Sequence, residues 1–145
     1  MNYLYLAYGS NLNKRQMARR CPDAVPVGSG TIDDYELVFR RGYLTIEPKK
    51  GSSVPVGVWK ITEEDEKALD RYEGYPKFYR KEYFAIQATN GKTYRYMVYI
   101  MKDGHPIQAP TDEYFYTVRL GYNDFGLKDK SKLEEAYLVA KYQED

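Results

Sequence analysis

Short apolar runs separated by Gly, Pro, Asp and Asn dominate the larger, N-terminal part of the chain. Their length and their richness in Tyr, Val and Ile predict β-strands rather than helices. The predicted strands cover residues 3–8, 25–27, 35–39, 44–46, 54–61, 78–88 and 92–101. The Asn-Gly pair within Thr89-Asn90-Gly91 predicts a tight hairpin between the last two strands.

Four segments carry helix signals, and they cover residues 13–20, 62–72, 111–120 and 131–141. Thr62-Glu63-Glu64-Asp65 resembles a capping box, and Gly74 is suited to end the same helix in a left-handed conformation. Thr111 and Ser131 are of residue types that favour the cap position of a helix. Strands in the middle and helices at the end favour an α+β fold, with a small mixed, mostly antiparallel, barrel-like sheet and flanking helices.

The size and charge of the chain argue against several classes of protein. Its 145 residues suit one domain, and we predict a single domain over residues 1–145. The 22 Lys and Arg nearly balance the 21 Asp and Glu, so no overall basic field favours nucleic acid or an anionic membrane as a partner. Neither a signal peptide nor an apolar run of membrane-spanning length occurs, which predicts a cytoplasmic protein.

The sequence is poorly suited to several common kinds of site. It has one histidine, His105, and one cysteine, Cys21, which argues against a His/Cys zinc site and against a catalytic triad. Cys21 follows an arginine pair and precedes a proline, where a helix-end role is more common than a nucleophilic one. Most of the 17 tyrosines suit strand faces, although a few could line a site for a small polar molecule. An enzyme with this sequence would use carboxylates, hydroxyls and backbone amides.

The segment Tyr5-Leu6-Ala7-Tyr8-Gly9-Ser10-Asn11 is the first with a candidate role. A strand that stops at Gly-Ser-Asn releases backbone N–H groups from the sheet, and the glycine allows a ligand to approach closely. We also expect a positive φ at Gly9. By spacing alone, an ordinary strand-ending turn explains the segment better than a ligand-binding loop does.

Glu73 is the second candidate, because it lies near the C-terminus of the helix that Thr62 begins. The negative end of the helix dipole and partial desolvation by Tyr72 and Tyr75 would both raise the pKa of its carboxyl. A raised pKa suits a general base that works near neutral pH. Taken alone, a solvated acid at a helix end explains Glu73 better.

Together these segments resemble the γ-glutamyl cyclotransferase family, whose opening strand and substrate loop typically read [FY]-x-Y-G-S-N. The family also has a Val-Trp strand followed by an L-D-x-x-E-G stretch. The matching residues here are Tyr5-Leu6-Ala7-Tyr8-Gly9-Ser10-Asn11-Leu12, Gly57-Val58-Trp59, Leu69-Asp70-Arg71-Tyr72-Glu73-Gly74 and, near the end, Ala109-Pro110, Tyr114, Gly121 and Gly126-Leu127. The order of the motifs makes the resemblance specific, and it extends from about Tyr3 to Leu127.

The resemblance implies a site and a reaction. Glu73 matches the family's acid/base residue, and the implied substrate-binding residues are Tyr5, Leu6, Ala7, Tyr8, Gly9, Ser10 and Tyr114. The implied reaction releases 5-oxoproline from a γ-glutamyl peptide or amine, by attack of the substrate's own α-amine, without a metal or cofactor. The expected partner is the small-molecule substrate, and the expected state is a monomer or a homodimer.

Two alternatives to this reading remain open. A related cyclotransferase could release a γ-glutamyl group from a metabolite or from a γ-glutamyl-lysine isopeptide, with a different pocket for the leaving amine. A binding module without catalytic activity could use the same fold. Asn123-Asp124-Phe125 departs from the residues that other family members have before Gly-Leu, which bears on the identity of the substrate.

Overall fold

The computed structural model describes residues 3–87 and 93–143. Its strands are β1 (Tyr3–Ala7), β2 (Val25–Arg40), β3 (Tyr43–Ile61), β4 (Tyr79–Gln87) and β5 (Thr93–Met101). Its helices are α1 (Lys14–Arg20), α2 (Glu63–Glu73), α3 (Asp112–Asp124) and α4 (Ser131–Gln143), with a short 3-10 helix over Ser10–Leu12. The predicted hairpin turn at Thr89-Asn90-Gly91 lies outside the described residues. None of the helices described is long and apolar enough to cross a membrane.

The five strands form one sheet in the order β2-β3-β1-β5-β4. Strands β1 and β5 are parallel, and the other neighbouring pairs are antiparallel, so the prediction of a mixed, mostly antiparallel sheet is confirmed. The predicted barrel-like closure is wrong, because β2 and β4 lie at opposite edges of an open sheet. Residues 25–34 of β2 are exposed apart from Ile32. Closure of the sheet would require this part of β2 to bury more of its surface.

Strands β2 and β3 form a long hairpin in place of the four short strands predicted between residues 25 and 61. The strands contain 16 and 19 residues. The ladder between them shifts register between Pro26 and Gly28 and again between Asp33 and Tyr35. Such bulges accommodate an extra residue within a strand, so Gly, Pro and Asp interrupt the pattern of the sequence without ending the strand.

Helix α2 begins and ends as the sequence predicts. The Thr62 side chain accepts a hydrogen bond from the Asp65 amide, and the Asp65 carboxylate accepts one from the Thr62 amide, which completes a capping box. Gly74 follows the helix with φ at 66°, a left-handed conformation that glycine adopts without steric cost. These caps fix Glu73 as the last residue of α2.

Close backbone packing fixes the segment that follows β1. A Cβ atom on Gly121 of α3 would lie 2.6 Å from Leu12 Cβ and 2.7 Å from the Asn13 amide nitrogen. The Asn13 side chain caps α1 and also donates a hydrogen bond to the Thr117 carbonyl oxygen of α3. Helix α3 therefore holds the 3-10 helix against the core at the end of β1.

Candidate active site

A cavity of about 280 Å³ lies where β1 ends and α2 ends, a size suited to a small polar molecule. Aromatic side chains form most of its wall. The lining residues are Tyr5, Tyr8, Gly9, Ser10, Asn11, Tyr43, Leu44, Tyr72, Glu73, Phe78, Tyr79, Tyr99 and Tyr114. Among the residues that the structure describes, Glu73 supplies the only carboxylate in this lining.

Burial raises the pKa of the Glu73 carboxyl to about 7, while the positive charge of Arg20 opposes that rise. Among the described residues, none forms a hydrogen bond or an ion pair with this carboxyl. Of the two flanking tyrosines, Tyr72 lines the cavity, whereas Tyr75 does not. A carboxyl with this pKa is substantially populated in both protonation states at neutral pH, so it can both accept and return a proton.

Gly9 precedes the 3-10 helix with φ at −119°, so the prediction of a positive φ is wrong. Space at Gly9 is tight, because a Cβ atom here would lie 3.1 Å from the Tyr114 hydroxyl oxygen and that side chain would have to shift. The Leu12 and Asn13 amides bond back to the carbonyl oxygens of Gly9 and Ser10. The earlier amides of this turn have no partner within the helix and are candidate donors to a ligand.

Three hydrogen bonds hold Asn11 rigidly in the wall of the cavity. Its side-chain amide donates to the Tyr5 hydroxyl at 2.9 Å, and its side-chain oxygen accepts from Arg20 Nη1 at 2.7 Å. Its backbone carbonyl oxygen accepts from Trp59 Nε1 at 2.8 Å. The polar groups of Asn11 are therefore oriented before any ligand binds.

Tyr72 links the loop after β1 to the end of α2. Its hydroxyl shares a 2.9 Å hydrogen bond with Ser10 Oγ. The Arg20 guanidinium carbon lies 3.6 Å from the centroid of the Tyr72 ring, within the range of a cation–π contact. This contact holds Arg20 at a position from which its charge acts on Glu73.

Three further tyrosine hydroxyls of the cavity have backbone or carboxylate partners. Tyr8 donates to the Tyr99 carbonyl oxygen at 2.5 Å, and Tyr99 donates to Asp70 Oδ1 at 2.6 Å. Tyr114 accepts a hydrogen bond from the Leu44 amide at 3.2 Å. Burial raises the pKa of Tyr8, Tyr99 and Tyr114 above the ordinary value, so these hydroxyls remain protonated and able to donate at neutral pH.

Comparison with known proteins assigns the chain to a family. A family model described as "Gamma-glutamyl cyclotransferase, AIG2-like" matches residues 5–117. The chain belongs to this family. The match includes the loop after β1, Glu73 and Tyr114, and it ends before Gly121.

Relatives of this γ-glutamyl cyclotransferase family member share most of its length at low identity. The chain is 27% identical to a gamma-glutamylcyclotransferase of Bos taurus, an alignment that covers 87% of this chain and 73% of the relative. It is 26% identical to a gamma-glutamylcyclotransferase of Mus musculus, covering 86% and 72%. A solved structure named gamma-glutamyl cyclotransferase superposes with a TM-score of 0.77 at 24% identity, covering 92% of this chain and 86% of that one, and shows the same fold.

Most of the residues implied by the family resemblance line the cavity. They are Tyr5, Tyr8, Gly9, Ser10, Glu73 and Tyr114. Leu6 and Ala7 are absent from the lining, because both lie in β1, where they are 3% and 1% exposed and pair with Val58 and Gly57 of β3. These two residues contribute to the core that supports the loop.

Sequence reasoning missed several residues of the wall. They are Tyr43, Leu44, Phe78, Tyr79 and Tyr99. These side chains come from β3, β4, β5 and the segment before β4, and only the tertiary structure brings them together. Apart from Leu44 these residues are aromatic, which was the available signal, but the chain has 17 tyrosines and most do not line the cavity.

Cys21 is structural in this fold. Its side chain is 1% exposed, and its thiol contacts the Asp65 carbonyl oxygen at 3.5 Å. Burial raises the pKa of the thiol to about 12, so it remains protonated at neutral pH. It is not among the residues that line the cavity.

Proposed function

We propose that this chain is a γ-glutamyl cyclotransferase that releases 5-oxoproline from a γ-glutamyl peptide or amine, with Glu73 as the general acid/base. The observation that carries the proposal is the state of Glu73 in the aromatic cavity. Its carboxyl has a pKa of about 7 and no hydrogen-bond partner in the described chain, so it is free to exchange a proton with a ligand.

The reaction needs no nucleophile from the protein. The α-amine of the γ-glutamyl group attacks the side-chain carbonyl carbon, and a carbon–nitrogen bond forms as Glu73 accepts a proton from that amine. The bond to the leaving nitrogen then breaks as Glu73 returns the proton to it. The products are 5-oxoproline and a free amine. Proton transfer of this kind contributes roughly 10²–10⁴-fold to the rate.

The cavity supplies two further contributions. Its walls, fixed by hydrogen bonds from Asn11 and Tyr72, favour the folded substrate conformation that closes the ring. The first amides of the 3-10 helix and the protonated Tyr114 hydroxyl are candidate donors to the negative oxygen of the tetrahedral intermediate. Because these donors are preorganised, they stabilise that oxygen with little reorganisation.

The test is incubation of the protein with a panel of γ-glutamyl amides, followed by detection of 5-oxoproline. We expect 5-oxoproline and no free glutamate. N-acetylation of the substrate's α-amine should abolish cleavage, although it leaves the scissile amide unchanged. Release of N-acetylglutamate at a comparable rate would show that water is the nucleophile, and a complete lack of turnover across the panel would favour a binding module.

A further inference from the structure

A second cavity, of about 560 Å³, opens beside the candidate active site. Its lining residues are Arg41, Tyr43, Lys77, Phe78, His105 and Gln108. Tyr43 and Phe78 line both cavities, and their ring centroids are 6.2 Å apart. These two rings therefore form a common wall between the two cavities.

The rim of the active-site cavity lies on this side. Tyr43 is 46% exposed, whereas Tyr5, Tyr8 and Tyr99 at the floor are each at most 6% exposed. A γ-glutamyl group held by the buried loop after β1 would direct its leaving amine outward, toward the rim. The second cavity is therefore placed to contact what the leaving amine carries.

The second cavity is positively charged. Arg41 and Lys77 contribute two cations to its lining, and none of the described Asp and Glu residues lines it. Neither cation forms an ion pair with a described residue. By contrast, Arg20 donates a hydrogen bond to the Asn11 side chain, and Lys81 forms ion pairs with carboxylates of α2. Arg41 and Lys77 thus keep their charges available to a ligand.

Arg41 occupies a backbone position that its residue type disfavours. Arg41 and Gly42 form the two-residue turn of the β2–β3 hairpin, with φ values of 53° and 83°. The first position of such a turn favours Asn, Asp or Gly, because other side chains are strained at positive φ. The Arg41 guanidinium carbon lies 5.4 Å from the Phe78 ring centroid, at the wall between the cavities. Strain of this kind concentrates at functional positions.

We propose that Arg41 and Lys77 form a subsite for a carboxylate on the leaving amine. This inference rests on the proposed function and adds the class of substrate. The favoured substrates are γ-glutamyl derivatives of amino acids or peptides with a free carboxylate near the scissile amide. Derivatives of neutral or cationic amines lack this contact and are poorer substrates.

The test compares γ-glutamyl-alanine with γ-glutamyl-alaninamide, which replaces the anionic carboxylate by a neutral amide of nearly the same shape. We expect wild-type kcat/KM to favour γ-glutamyl-alanine, and Arg41→Asn to lower that preference by about tenfold through KM. Added salt should reduce the wild-type preference, because the subsite lies at the surface. Since Asn suits the turn, the melting temperature of Arg41→Asn should not fall.

Matched variants and a binding measurement complete the design. Lys77→Gln should lower the same preference, whereas Arg15→Asn, which removes an arginine charge from α1, should leave it unchanged. Binding of both compounds to Glu73→Gln by calorimetry reports on the subsite without turnover. Equal kcat/KM and equal binding for the two compounds would overturn the proposed subsite. Release of 5-oxoproline from both compounds would in that case leave the proposed function intact. Failure of both compounds to bind or react would overturn both proposals.

Discussion

Replacing Glu73 with Gln separates the catalytic role of this carboxyl from its effect on the stability of the fold. Burial raises its pKa from an ordinary 4.5 to about 7. At ~1.36 kcal/mol per pH unit, keeping the carboxylate ionised in the folded chain costs on the order of 3 kcal/mol. Glu73→Gln keeps the shape and removes this cost, so the variant should be the more stable protein wherever the wild-type carboxyl is ionised.

The sign of this effect depends on pH. Below about pH 4 the carboxyl is neutral in both the folded and the unfolded chain, and the two proteins should have similar free energies of unfolding. As pH rises from about 4.5 to about 7, only the wild type loses stability, because its unfolded chain releases the Glu73 proton while its folded state still holds that proton. The gap should therefore open between about pH 4 and 7 and reach its full value near pH 8.

Urea unfolding across this pH range measures the stability gap, and 5-oxoproline release measures the catalytic role. Activity of Glu73→Gln should fall by at least about 10²-fold, while its stability at about pH 8 rises. Glu135→Gln, at an exposed position of α4, should change neither quantity. Turnover within a few-fold of wild type would refute the assignment of the base, and a gap that is flat across pH would refute the reasoning from burial.

Three further substitutions test other parts of the structure. Arg20→Gln removes the positive charge that lowers the pKa of the catalytic carboxyl, so the midpoint of the rate–pH profile should move upward; an unchanged midpoint would contradict this. Gly9→Ala places a Cβ 3.1 Å from the Tyr114 hydroxyl and should therefore lower 5-oxoproline release; normal turnover would contradict this expectation. Gly121→Ala should destabilise the fold by about 2–3 kcal/mol in thermal unfolding, whereas Gly30→Ala, with open space around it, should not.

The sequence by itself determined the features that depend on neighbouring residues. The capping box at Thr62 and the left-handed Gly74 are set by contacts within one or two helical turns, and both are confirmed. They place Glu73 at the end of α2. The end of β1 shortly before Gly9 was likewise readable, because a strand-to-turn signal needs only a few residues.

Only the tertiary structure decided what surrounds these residues. Strand order and register come from pairings between distant segments, so the open sheet and the long β2–β3 hairpin were not readable from local patterns. Arg41 shows the reason most clearly. Its sequence neighbours indicate a turn, and only the packing of Phe78 from a distant segment against that turn places its charge beside the active-site cavity. Helix caps and turns depend on residues that are close in sequence, whereas the shape of a cavity depends on which surfaces the folded chain brings together.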